Sequence, residues 1–123
     1  MNDPLLVIID AANVVGSVPD GWWRDRRGAA ERLRDRLAQN GLPGHDGPVE
    51  LVLVVEGAAK GVESVPCVRV VEAPGSGDDR IVELAAEARD RPVLVVTADR
   101  ELRRRVAELG ADVTGPRAVR GES

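Results

Sequence analysis

Four short segments of this chain are almost wholly apolar: "LLVIID" (5–10), "VELVLVV" (49–55), "CVRVV" (67–71) and "PVLVVT" (92–97). A strand with one wet face alternates apolar and polar residues. A near-continuous apolar run is expected where both faces of a sheet are covered. Helical patterns separate the runs. In "DDRIVELAAEARD", Ile81, Leu84, Ala85 and Ala88 recur at i, i+3, i+4 and i+7. In "DRELRRRVAELG", Leu102, Val106 and Leu109 form one stripe, Arg103, Arg104 and Arg105 face elsewhere, and Gly110 supplies a stop. An earlier helix reads from Asp20 as its N-cap, through Trp23, Ala30, Leu33 and Leu37, to a stop at Asn40 and Gly41. Gly28 inside it costs roughly 1 kcal/mol relative to alanine. "ADVTG" (111–115) is a weaker fifth strand. Strands alternating with helices make βαβ units, hence an α/β fold with a parallel sheet and helices on both faces. "GLPGHDGP" (41–48) reads as a loop, and "EGAAKGVESVP" (56–66) as a connection with room for one short helical turn. No repeat or internal boundary interrupts residues 1–116, and 117–123 read as a loose tail.

Composition removes several classes of function. With 123 residues, 43% of them hydrophobic and 31% charged, the chain can bury a core without a covalent staple. Cys67 is the one cysteine, which excludes an internal disulfide and a cysteine-based zinc site and fits a reducing compartment. No apolar run approaches the roughly 20 residues that span a bilayer. The opening residues lack the basic flank and cleavage site of a signal peptide. A cytoplasmic protein with no membrane partner is the expectation. The net charge of −4 does not advertise a nucleic-acid binder. Of the seventeen basic residues only Lys60 is a lysine, and the arginines gather at 24–36 and 100–105. Such runs are commonly solvated helix faces, although the planar guanidinium also suits phosphate.

The acids are placed less evenly. In open α/β sheets, ligands bind outside the carboxyl ends of the strands, where strand order reverses. Asp10 ends the first strand, Glu56 follows the second, Asp78 and Asp79 follow the turn "APGSG" after the third, and Asp99 follows the fourth. All fall at one edge of the sheet. Singly, Asp78, Asp79 or Asp99 can serve as a helix cap. Asp10 is harder to explain so, because it closes an apolar strand. Carboxylates gathered in one crevice repel each other and raise each other's pKa, and a hard divalent cation relieves the repulsion. Oxygen ligands favour Mg²⁺ or Mn²⁺, ions that serve in-line phosphodiester hydrolysis. His45 sits in a Gly/Pro loop and reads as a surface residue.

"IIDAANVVG" resembles the opening D-x-x-N of the NYN branch of PIN-like nucleases, "GSGDDRIVELA" that group's acidic helix start, and "VVTADRELRRRVAELGADV" its closing strand, acid and helix. The order and spacing match from about residue 5 to 115. The resemblance implies a PIN-like NYN domain at 1–116, a Rossmann-like three-layer sandwich with a mostly parallel sheet in the order 3-2-1-4-5. It implies a Mg²⁺- or Mn²⁺-dependent endoribonuclease acting on single-stranded or structured RNA. On that analogy Asp10, Asp79 and Asp99 are metal ligands or hold metal-bound water, with Asp78 a further candidate. Asn13 would orient Asp10 or a water, and Thr97 would support the site. The further middle-helix acid of many PIN-like nucleases has only Glu56 and Glu83 as candidates.

For RNA, Trp22 and Trp23 are the only aromatic residues. Trp22 offers a stacking surface beside a cationic track; Arg24, Arg27 and Lys60 are the phosphate-contact candidates. The ordinary alternative packs the indoles against the helix start. "GSG" at 75–77 is a poor nucleotide fingerprint, because Arg80 stands where a third glycine belongs and two aspartates would repel a pyrophosphate. A phosphoacceptor receiver domain would need a lysine near its last strand, and that region has none. The remaining alternatives are an RNA-binding regulatory module of the same fold and a toxin-type nuclease held by a small protein partner; a homodimer stays open.

Overall fold

The computed structural model describes residues 4–18, 21–45 and 47–120, with the side chains of residues 58 and 120 excepted. Five strands form one sheet: β1 (Leu5–Asp10), β2 (Val49–Val55), β3 (Val68–Glu72), β4 (Val93–Val96) and β5 (Asp112–Thr114). Their order is β3-β2-β1-β4-β5, and every pairing is parallel. The helices are α1 (Ala11–Gly16), α2 (Arg26–Asn40), α3 (Gly77–Glu87), α4 (Arg100–Ala107) and the single turn α5 (Arg117–Arg120), with 3-10 turns at Trp22–Arg24 and Gly57–Ala59.

The continuous apolar runs have the expected cause. Alternate residues of β1 enter two separate cores. Val7 and Ile9 pack with Val14 of α1, Leu33 and Leu37 of α2, and Leu53 and Val55 of β2. Leu6 and Ile8 pack on the other face with Ile81 and Leu84 of α3 and Leu102 and Val106 of α4. The result is three layers, with helices above and below the sheet. Ile81, Leu84, Ala85 and Ala88 are all buried, as their spacing requires.

Three local expectations are corrected. Asp20 lies outside the described residues, and the helix it was expected to cap begins at Arg26, with Asp25 as the N-cap. Trp23 therefore stands outside the helical register and is 54% exposed, not a core residue. Directly after Asp10, Ala11–Gly16 forms a short helix. Residues 117–120 are no loose tail: they form α5, and Val119 is only 2% exposed, packed into the core of the α2 face. Residues 121–123 lie outside the described residues. Among the described residues, no helix is long and apolar enough to cross a membrane.

An acidic crevice at the carboxyl edge of the sheet

Strand order reverses between β1 and β4, which are direct neighbours, with Ile9 opposite Val96. The next residue on each strand is polar, and these are Asp10 and Thr97, both buried. The Thr97 hydroxyl donates to Oδ2 of Asp10 at 3.0 Å and accepts the backbone N–H of Asp99 at 3.1 Å. One hydroxyl thus ties the end of β1 to the start of α4. The backbone N–H of Asn13 donates to Oδ1 of Asp10 at 3.4 Å, making Asp10 the N-cap of α1. Asn13's side-chain carbonyl accepts the N–H of Ala98 at 2.9 Å. The Asn13 side chain therefore fastens the α1 turn to the loop after β4, and only its backbone touches Asp10. Arg103 closes the same corner, its Nε donating to the Thr97 carbonyl at 2.8 Å.

Burial pushes the Asp10 carboxyl up from 3.8 to about 6. The bonds from Thr97 and Asn13 pull it down, and the charges of Asp78 and Glu56 add to the rise. Asp78, at the start of α3, is also raised, first by burial and then by the charges of Asp99 and Glu56; Arg105 opposes this. Asp78 and Glu56 thus act on Asp10, and Asp99 and Glu56 on Asp78, which links the four acids at one crevice.

Asp79 stands apart. It is largely solvent-exposed and forms an ion pair with Arg105 at 3.1 Å. Asp79 was the expected ligand and Asp78 the further candidate; of the two, Asp79 is the one held in an ion pair. Asp78 follows the N-cap Ser76 by two residues and faces the other acids; Asp79, one residue further round the helix, turns to α4. Asp99 caps α4, accepting the N–H of Leu102 at 3.0 Å, so the ordinary role of an aspartate at that place is also filled.

Glu56 is the acid whose place the sequence left undecided. It follows β2, and its carboxylate accepts the backbone N–H of Gly77, the first residue of α3. A Cβ at Gly77 would lie 3.1 Å from the Glu56 carboxylate, so glycine permits this close approach. The other candidate, Glu83, is paired with Arg80 at 3.4 Å on the outer surface of α3.

Beside the crevice lies a cavity of about 320 Å³, lined in part by Ala11, Ala12, Trp22, Arg26, Glu56 and Gly75. Trp22 is half-buried, and the guanidinium of Arg26 sits over its ring at 5.3 Å from the centroid. Arg26 was not singled out in the sequence, where nothing distinguishes it from its neighbours. Arg24 stacks over the exposed Trp23 at 5.9 Å. Arg27 is exposed and lies beside Gly61, next to Lys60, which is exposed too. His45 is exposed in its loop, as expected.

The donors around Asp10 are all oxygen, the chemistry of a hard divalent cation. Among the described residues, no three acids draw close enough to make a ready-formed metal cage. Mg²⁺ commonly keeps several waters and takes only one or two carboxylates from a protein. A buried carboxylate surrounded by like charges fits that mode of binding.

No family model matches the chain, and no curated protein matches it. Among solved structures it is similar to Rae1 (YacP) from Bacillus subtilis, with a TM-score of 0.67 at 22% identity over 95% of this chain and 71% of that one. A tryptophan-to-leucine variant of the same protein gives a TM-score of 0.72 at 18% identity, over 93% and 70% of the two chains. At such identities the likeness carries the fold: this chain is a three-layer α/β sandwich with a five-stranded parallel sheet in the order 3-2-1-4-5, as expected.

Proposed function

We propose that the chain is a metal-dependent endoribonuclease of the NYN type, with its active site at the crevice around Asp10. The observation that carries this reading is a buried aspartate, raised to about 6, whose near ionisable neighbours are acids. Leaving it ionised there costs stability, and folds retain such sites chiefly where a ligand uses them. Asp10 and Asp78 hold the cation, Asp99 and Glu56 add negative field, and Asp79 is assigned to the Arg105 pair instead. When bound, Mg²⁺ or Mn²⁺ polarises the phosphodiester and generates the nucleophile from water. Thr97 fixes the Asp10 carboxylate, so that one oxygen's direction is set before any ligand arrives. Asn13 holds the two loops that flank the crevice at a constant separation. Arg24, Arg27 and Lys60 meet the RNA backbone outside it.

The test is cleavage of labelled single-stranded RNA in Mg²⁺, Mn²⁺ or chelator, comparing wild type with Asp10→Asn. Cleavage only with metal, and lost in the variant, is expected; cleavage indifferent to chelator would sink the reading. The lack of a ready-formed cage among the described residues favours one rival, an RNA-binding regulatory module of the same fold. Retention of RNA without cleavage in either metal would select it.

A further inference from the structure

We infer that the cavity beside the acidic crevice is a base-reading subsite that takes a single unpaired guanine. The inference rests on the ribonuclease reading for its RNA context and on the cavity's own chemistry for its specificity. At about 320 Å³ the cavity lies at the small end of ligand pockets, suited to one base and not to a duplex. Its apolar walls include Val15, Ala30 and Ala59, and the indole of Trp22 supplies a stacking surface.

Two charged groups line this space, Arg26 and Glu56, and they form no ion pair with each other. The Arg26 guanidinium lies over the Trp22 ring, and its N–H groups make no hydrogen bond or ion pair to another described residue. One Glu56 oxygen accepts the N–H of Gly77, which anchors the carboxylate, and its other oxygen has no protein donor among the described residues. Among the charged groups lining the cavity, Arg26 thus brings donors and Glu56 an acceptor. Guanine alone carries two acceptors, O6 and N7, on one edge and adjacent donors, N1–H and the N2 amine, on another. Adenine presents an acceptor at N1 where the carboxylate would need a donor, and uracil offers a single N–H. A polar group that the bound base shuts off from water and leaves without a partner rejects the wrong base more strongly than an apolar wall can.

Trp22, which lines the cavity, and the exposed Trp23 are the only aromatic residues in the chain, so intrinsic fluorescence carries a signal from this cavity. The experiment titrates the full chain, in chelator, with the 5′-monophosphates of guanosine, adenosine, cytidine and uridine, and reads tryptophan quenching. Guanosine monophosphate is expected to saturate at least about tenfold below the other three. Glu56→Gln keeps an acceptor for Gly77 but loses the second carboxylate oxygen, and should bring the four within about twofold. Trp22→Leu should abolish the saturable quenching, with circular dichroism confirming that both variants fold. Absent saturation with guanosine monophosphate, equal midpoints for the four nucleotides, or a full preference surviving in Glu56→Gln would each overturn the inference. Because no metal is present, binding of guanosine monophosphate by a chain that cuts no RNA would refute the nuclease reading alone. RNA cleavage without nucleotide preference would refute this inference alone.

Discussion

At neutral pH the Asp10 carboxyl is mostly ionised although its burial holds the pKa near 6. Below pH ~3 it is protonated in folded and unfolded chains alike, and its burial carries no charge penalty. As pH rises from there, the unfolded chain releases the proton first and the folded chain retains it, so stability falls. Above about pH 6 the loss is complete, at about 3 kcal/mol. Asp10→Asn should therefore raise the unfolding free energy measured in urea, in chelator at pH 8, by up to about 3 kcal/mol, with the gain vanishing at about pH 3. Equal gains at both pH values would disprove the electrostatic origin. Asp10 was legible in the sequence because a carboxylate ending an apolar strand is unusual; the acids sharing its edge were legible from the strand ends they follow, and only their separate roles came by analogy. Asp78 and Asp79 are neighbours in sequence and differ in direction by about 100° around a helix, and only the position of α4 with Arg105 decides which of them faces the crevice.

The helices show how far periodicity reaches. It identified the buried faces of α3 and α4, because a stripe at i, i+3 and i+4 survives whatever the ends do. It misplaced the start of α2, because a tight 3-10 turn at Trp22–Arg24 shifts the register ahead of the true cap. Gly28 belongs to that cap. A Cβ there would stand 2.2 Å from the Asp25 carboxylate, which accepts the Gly28 N–H at 2.9 Å. Gly28→Ala should therefore not yield the roughly 1 kcal/mol that alanine usually adds to a helix, because it displaces a cap of similar worth. In an Asp25→Ala background the same substitution should stabilise by about 1 kcal/mol. Thermal unfolding of the four-variant cycle checks this, and an equal gain in both backgrounds would refute the steric account.

For the molecule as a whole, two cores lie on opposite faces of one sheet, and α5 closes the one on the α2 face through Val119. Val119→Ala should cost about 1–2 kcal/mol, measurable in urea, whereas a residue in a loose tail would change stability by less than about 0.5 kcal/mol. A cation bound at Asp10 should also stabilise the folded chain by mass action. Saturation to about 100 times Kd corresponds to roughly 2.7 kcal/mol. A rise in Tm with Mn²⁺ that chelator reverses, and that is lost in Asp10→Asn, is the expected result; an equal rise in the variant would place the ion elsewhere. The sequence by itself determined the layers, the parallel sheet and the edge at which the acids gather, because doubly buried strands must be apolar throughout and crossover helices must alternate with them. Tertiary structure alone decided that Glu56 reaches the first turn of α3, that Asp78 faces the crevice while Asp79 pairs with Arg105, and that Trp22, Arg26 and Glu56 line one cavity. Those contacts join residues far apart in the chain, and they depend on helix rotation and loop path, which no local pattern encodes.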